Sequence, residues 1–479
     1  MKPILLIHGY SSEGKDTKVE DIYGSLPGDL RKEFGEGNVK DINLSRWISL
    51  SDGIALDDVS FAMNRALNEQ YPDLLKSGFH VIIHSTGALV VRNWIRLFSP
   101  KPSPINNLVH LAGANFGSGL AHIGQGQLAR WGRLIFQGTG RGTRVLDELE
   151  FGSWKTLDLH IGYLQKGNDM YADYQVQEFC MIGSQTLGLL RPIPIRYVKE
   201  DSADNTVRTS ACNLNFNYIP VKPKQGAFNV DVDKLSELIK QRLNNQQVEP
   251  YYEYDISGLC TKRPEVPFAV VFETAHFDKD IGIVSGTENR TDVMRLLNSA
   301  LKTPYDRQAY QNVARFFEAE NAGTFARAAQ LRWSIFEWNK QEQYEGHAQL
   351  IFRLKDQFGN AVEHFDITFK SQGNNGEESR LEDMIEDKHN NSKDNGTITF
   401  YLRTQKFNET WNELLAHVAP VDVEITGYEP LSDDIAYLPV NIRLSNKEIN
   451  AILQSFRTTI VDVVLARLPS DHVFEIKKV

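Results

Sequence analysis

Apolar and polar positions along this chain of 479 residues follow two regimes, and the change between them falls near residue 303. In the first regime short apolar runs alternate with stretches of helical spacing. The runs are 3–7 (PILLI), 39–44 (VKDINL), 79–83 (FHVII), 107–112 (NLVHLA), 178–184 (EFCMIGS) and 267–273 (PFAVVFE). Runs with few or no polar interruptions predict strands buried on both faces. Between them, residues 22–34 read as helix. Val59, Ala62, Met63, Ala66 and Leu67 recur at helical intervals behind Asp57 and Asp58, which suit a helix start, and 291–301 reads as a further helix. Strands alternating with helices predict an α/β domain over 1–303, with a mainly parallel sheet covered on both faces.

Past residue 304 the pattern changes. Residues 305–342 keep helical spacing and are rich in aromatics and arginine, so 304–345 is expected to be a helical connector. Beyond it, period-two alternation predicts strands at 347–354, 362–369, 397–402, 421–425, 437–444, 459–465 and 473–476, with Gln357-Phe358-Gly359-Asn360 as the first turn. Seven short strands predict a β-sandwich-like C-terminal domain over 346–479. Residues 372–396, dense in Asn, Glu, Asp, Ser and Lys, read as a mobile loop.

Composition narrows the function classes. A net charge of −10 argues against a nucleic-acid binder or a binder of anionic membranes, both of which need a basic excess. Three cysteines, Cys180, Cys212 and Cys260, imply no disulfide framework. The apolar run after Lys2 is too short for a signal-peptide core, and no run approaches the roughly 18 residues of a spanning helix. A cytoplasmic protein is the plain expectation, and export without a cleaved signal is compatible with it.

The chemistry concentrates where the third run ends. Residues 79–94 read FHVIIHSTGALVVRNW, which is a strand, a sharp turn and a helix with Ser85 at the apex. That layout lifts a hydroxyl off a sheet edge and turns the free N–H groups of a helix start toward it. A serine that merely caps the helix is the alternative. Ile83 stands where the usual G-x-S-x-G pattern has its first glycine, while Gly87 and Ala88 are small. In parallel sheets ligands sit at the carboxyl ends of strands. His8-Gly9-Tyr10 follows the first strand and Ser85 the third. Glu200-Asp201-Ser202-Ala203-Asp204-Asn205-Thr206-Val207 comes after the fifth, and Ala275-His276-Phe277-Asp278 after the sixth. A hydroxyl nucleophile needs an imidazole to take its proton and a carboxylate to hold that imidazole in the right tautomer. Glu200, Asp201 and Asp204 are candidate carboxylates. Of the later histidines, His276 alone follows a strand of the first domain and precedes a helix. Asp278 and Asp280 read as capping charges, and no metal site is expected.

His8-Gly9, His84-Ser85-Thr86-Gly87, Asp204-Asn205-Thr206-Val207 and His276 together resemble the lipase-type branch of the α/β-hydrolase superfamily. Asn115-Phe116-Gly117-Ser118 is similar to the Asn-x-Gly-Ser/Thr segment that follows the next strand in many of those lipases. The resemblance covers 1 to about 303. It implies Ser85 as nucleophile, His276 as base, Asp204 as acid, and an oxyanion hole from the N–H groups of Tyr10 and Thr86. The Asp-Asn-Thr-Val segment departs from the more usual Asp-Gly-x-Val. Residues 118–177 occupy the position of the family's cap, where Leu128, Trp131 and Ile135 would contact substrate, although such stripes equally suit packing on the core. The expected activity is hydrolysis of carboxylic esters, lipid esters above all, with peripheral membrane contact, no cofactor and no nucleic-acid partner. Acyl transfer by the same triad, or binding on a dead hydrolase scaffold, are the alternatives. Oligomeric state is left open.

Overall fold

The computed structural model describes residues 2–8, 16–49, 51–122, 143–187, 196–238, 240, 251–256, 264–331, 340–371, 381–406 and 420–470. The chain forms two compact units, Met1–Asn215 with Arg263–Glu345, and Phe216–Lys262 with Gly346–Val479. The stretch read as an unbroken domain to residue 303 therefore includes 216–262, which belongs to the second unit. Residues 304–345, read as a connector, belong to the first.

The first unit is built on β1 (Ile4–His8), β2 (Val39–Asn43), β3 (Phe79–His84), β4 (Ile105–Leu111), β5 (Gln177–Gly183) and β8 (Phe268–Val271). They form one sheet in the order β2-β1-β3-β4-β5-β8, parallel throughout. All six apolar runs are strands of this sheet. β1 and β5 are buried along their whole length, as continuous apolar runs require in a sheet covered on both sides.

The edge at β8 is sealed by the Arg307–Ala328 helix. Asn321 accepts from the Val270 N–H (2.7 Å) and donates to the Phe268 carbonyl (2.8 Å), while the Thr324 hydroxyl donates to the Val270 carbonyl (2.8 Å). Side chains thus satisfy backbone groups that an open edge would leave for another strand. The Arg307–Ala328 part of the supposed connector is thus packed on the sheet's edge.

Beneath the sheet's covering helices lies a buried charge. Arg92, on the Gly87–Phe98 helix, pairs with Glu178 of β5, and His110 of β4 bonds the same carboxylate (3.2 Å). Burial alone would raise the Glu178 pKa, but the Arg92 charge and the His110 bond outweigh it and hold it at about 2. A carboxyl whose folded pKa is depressed stabilises the fold above its unfolded value and loses that contribution as pH falls toward the folded one. The pair's contribution should therefore be complete at neutral pH and fade between about pH 4.5 and pH 2. Glu178→Gln, which leaves Arg92 buried without its counter-charge, is expected to cost about 3–5 kcal/mol at pH 7. Urea midpoints at pH 7 and pH 3.5 test this, because the gap between the two proteins should narrow at the lower pH.

The second unit contains β6 (Asn217–Pro223), β7 (Tyr252–Tyr254), β9 (Gly346–Asp356), β10 (Phe365–Ser371), β11 (Ile385–Asn390), β12 (Thr397–Gln405), β13 (Val421–Gly427), β14 (Ile435–Tyr437), β15 (Val440–Leu444), β16 (Thr458–Leu465) and β17 (Arg467–Pro469). A six-stranded sheet runs β11-β12-β9-β16-β6-β7, a three-stranded one β10-β13-β15, and β14 pairs with β17. The two larger sheets face each other. Phe369 of β10 packs against Phe352 of β9 (centroids 6.2 Å) and Phe400 of β12 (5.3 Å), within one apolar core that also takes Val423, Ile442 and Val461. This is the expected sandwich, with corrections. Residues 385–390 form β11 within the stretch read as a mobile loop, and 437–444 is divided around Pro439, which has no N–H to give a ladder. The expected strand at 473–476 lies outside the described residues.

Candidate active site

β3 ends at His84, and Ser85 takes a left-handed backbone conformation with φ of 54°. This region costs an L-residue on the order of 1–2 kcal/mol, so the turn is held by its neighbours. The Ser85 N–H donates to the Leu111 carbonyl (3.2 Å), and its own carbonyl accepts from Ala88 and Ala114 (3.2 Å each). Ile83 is fully buried and does not prevent the bend. Room for the helix comes from small residues instead, because a Cβ built on Gly113 would stand 3.0 Å from the Ala88 Cβ. The capping alternative is not what the side chain does. The helix starts at Gly87 with Thr86 in the capping position and no side-chain cap bond. Thr86 therefore places its N–H at an open helix start, where the first amides have no intrahelical acceptor.

The carboxylate comes from a closed loop. Ala203 bridges to Arg208, the Asp204 N–H donates to the Val207 carbonyl (3.1 Å), and Asn205 at the tip has φ of 72°. Asp204 is fully buried. Its Oδ1 accepts from the N–H groups of Thr206 (3.1 Å) and Val207 (2.8 Å), and its Oδ2 meets Nδ1 of His276 at 2.8 Å. Of the rivals, Glu200 is taken by Arg208 in a two-point pair (2.9 and 2.7 Å) across the base of this loop. Asp204 is the carboxylate brought to the imidazole.

His276 follows β8 on a second closed turn. The Ala275 N–H donates to the Ile281 carbonyl, Ile283 returns a bond to Ala275, and Asn289 ties Thr274 (2.8 Å) to the Ile281 carbonyl (2.9 Å). The His276 N–H donates to the Asp204 carbonyl (2.9 Å), so backbone and side chain both join the loops. Asp278 caps its own turn by accepting from the N–H groups of Asp280 (2.8 Å) and Ile281 (3.0 Å), in line with the capping expectation.

The imidazole reaches the serine turn through His84. The two rings lie 4.5 Å apart, and Nε2 of His84 is 3.2 Å from the His276 carbonyl. Burial and the neighbouring His276 ring push the His84 pKa well below its ordinary value, so the ring is neutral and donates from Nε2–H to that carbonyl. With Nδ1 of His276 on Asp204, Nε2 is the ring nitrogen left for Ser85. Ser85 Oγ makes no hydrogen bond to it among the described residues.

The residues that brace this arrangement carry no bracing signal of their own in the sequence. Asn115 donates to the Cys212 carbonyl (2.7 Å), the Phe116 N–H to Ala211 (2.9 Å), and the Ser118 hydroxyl to Thr206 (2.6 Å). The Asn-Phe-Gly-Ser segment thereby buttresses the Asp204 loop, and its likeness to a lipase segment was the available signal. Gly183, at the end of β5, is equally constrained, since a Cβ there would fall 1.9 Å from the Thr274 carbonyl oxygen. His8 orders the first strand end by bonding Asp41 (3.2 Å). Tyr10, Leu128, Trp131 and Ile135 lie outside the described residues. Elsewhere in 118–177, the segment at the expected cap position, Leu149 and Leu157 are buried.

Comparison with solved structures decides the fold. Phospholipase PlaB from Legionella pneumophila superposes on 100% of this chain and 96% of its own, with a TM-score of 0.78 at 22% identity. The chain has an α/β-hydrolase fold. PlaB in complex with thio-NAD gives 0.77 at the same identity and coverage. The mature lipase BlEst2 of Bacillus licheniformis matches 44% of this chain and 79% of its own at 14% identity, with a TM-score of 0.30, too low to carry weight. No protein-family model and no curated protein matches the sequence. Among the described residues no helix is long and apolar enough to cross a membrane.

Proposed function

We propose that this protein is a serine hydrolase of carboxylic esters, lipid esters in particular. Ser85 attacks the ester carbonyl, His276 Nε2 takes the hydroxyl proton and returns it to the leaving alcohol, and Asp204 holds the ring through Nδ1 and stabilises the imidazolium that forms. The bond from Ser85 Oγ to the acyl carbon makes an acyl-enzyme, which water then cleaves with His276 acting as base a second time. The N–H groups of Thr86 and Tyr10 receive the oxyanion. The observation that carries the reading is the 2.8 Å bond between His276 Nδ1 and a fully buried Asp204, on loops that return this imidazole to the turn where Ser85 stands with positive φ.

The substrate class rests on the whole-chain likeness to a phospholipase. Cap residues Leu128, Trp131 and Ile135 would line the acyl site. The direct test is release of fatty acid from phosphatidylcholine and lysophosphatidylcholine by the purified chain. Release that depends on Ser85 supports the reading, and its absence with both lipids, alongside turnover of short water-soluble esters, would remove the lipid part of it.

A further inference from the structure

The second unit exposes large apolar side chains that its core does not use. Leu431 is 93% exposed, Phe358 72% and Tyr428 47%. They sit on two loops at one end of the sandwich. The register of β16 against β9 pairs Leu465 with Asp356, so both strands finish together. β13 finishes there too, since a Cβ on Gly427 would lie 2.9 Å from the Leu465 side chain. Gln357 exchanges two hydrogen bonds with the backbone of Arg467 (2.9 Å each), β17 pairs with β14, and Tyr428 bridges to Ala436.

The turn carrying Phe358 is preset. The Asp356 carboxylate accepts from the N–H groups of Phe358 and Asn360 (2.9 Å each), and Gly359 supplies the positive φ of 87°. The backbone that carries Phe358 is thus fixed, and its ring is exposed to solvent. A protein partner is more often met by a contiguous patch with pockets for its anchors. Separate apolar tips with an amphipathic tyrosine beside them suit the interfacial layer of a lipid surface.

Charge indicates which surface. Residues 428–434 (YEPLSDD) carry three carboxylates and no lysine or arginine, which opposes an anionic lipid layer. Beside Tyr428, whose ring is 5.7 Å from that of His364, opens a cleft of about 450 Å³ lined by Glu363, Asp366, Lys388, Asn390 and Asn395. Carboxylates and an ammonium in one cleft complement a headgroup that bears both signs.

We infer that this end of the second unit docks on a zwitterionic lipid surface, with Phe358, Tyr428 and Leu431 entering the interfacial layer. The inference goes beyond the hydrolase reading and does not require it.

The test is co-flotation of the full chain, carrying Ser85→Ala so that lipid is not consumed, with phosphatidylcholine vesicles. The chain is expected to float, with little loss when salt is raised and no gain when phosphatidylserine is added. Phe358→Asp with Leu431→Asp should reduce the bound fraction by at least about tenfold, since each side chain gives up its apolar burial. Phe358→Trp with Leu431→Trp, which keeps the apolar character, should retain binding and shift tryptophan emission to the blue on mixing. Matched thermal melts check folding of the Asp pair. Failure of the chain to float, dependence on phosphatidylserine, or unchanged flotation of the Asp pair would overturn the inference. So would a change in sedimenting mass without a change in flotation, since that would assign the tips to a contact between copies of the chain. No outcome depends on turnover, so the hydrolase reading stands or falls separately.

Discussion

Ser85→Ala is expected to lower kcat on any carboxylic ester that the protein cleaves by about 10⁶-fold, the scale seen when the nucleophile is removed from triads that act as a unit. The fold should survive. Ser85 is half-buried, its hydroxyl holds no other residue among those described, and its three backbone bonds to Leu111, Ala88 and Ala114 are indifferent to the side chain. Alanine carries the same Cβ as serine, so the strain at φ 54° is unchanged. A stopped activity assay beside a thermal melt separates the proposal from the alternatives. A structural serine predicts altered stability with activity intact. A dead scaffold predicts no activity for the substitution to remove.

Asp204→Asn should lower kcat by about 10⁴-fold, and the geometry indicates why. Oδ1 accepts the N–H groups of Thr206 and Val207, while Oδ2 faces His276 Nδ1. An asparagine must keep its carbonyl oxygen toward the two backbone donors, which turns its NH₂ group toward Nδ1. Nδ1 can then only accept, so the ring proton moves to Nε2, the atom that must be free to take the serine proton. The residue stays the same size and keeps its loop bonds, so KM and stability should change little beside kcat. Asp201→Asn is the control from the same loop and is expected to retain activity. Comparable losses for both variants would mean that the loop matters as scaffold and that the carboxylate has no specific part.

The sheet was legible in the sequence because a strand buried on both faces writes its burial as a local apolar run. PILLI, FHVII and EFCMIGS are the plainest cases. The order of chemical groups was legible for a related reason, since each followed one of those runs. What could not be read locally was pairing across distance. β6 carries Pro220 and Pro223, which lower its strand signal, and it becomes a strand by lying parallel to β16, with Asn217 beside Thr459. That pairing also assigns 216–262 to the second unit. β11 reads IEDKHN, a charged pattern typical of a protected sheet edge and indistinguishable by composition from a loop. Asn321 and Thr324 look like ordinary helix residues until β8 is seen beneath them. The Glu178, Arg92 and His110 cluster draws on three elements, and no spacing in the sequence announces it. Within the site, Ser85, Asp204 and His276 could be named from motifs, whereas the bracing roles of Asn115, Ser118, His84 and Gly183 depend on contacts between loops.

Whether the Ser85 hydroxyl is an activated nucleophile is read out by its reaction with a fluorophosphonate probe. The purified chain is expected to become covalently labelled, with the adduct mapped to Ser85, abolished in Ser85→Ala and formed orders of magnitude more slowly in His276→Ala. A folded wild-type chain that takes up no label, or one whose label sits elsewhere and persists in Ser85→Ala, would contradict it.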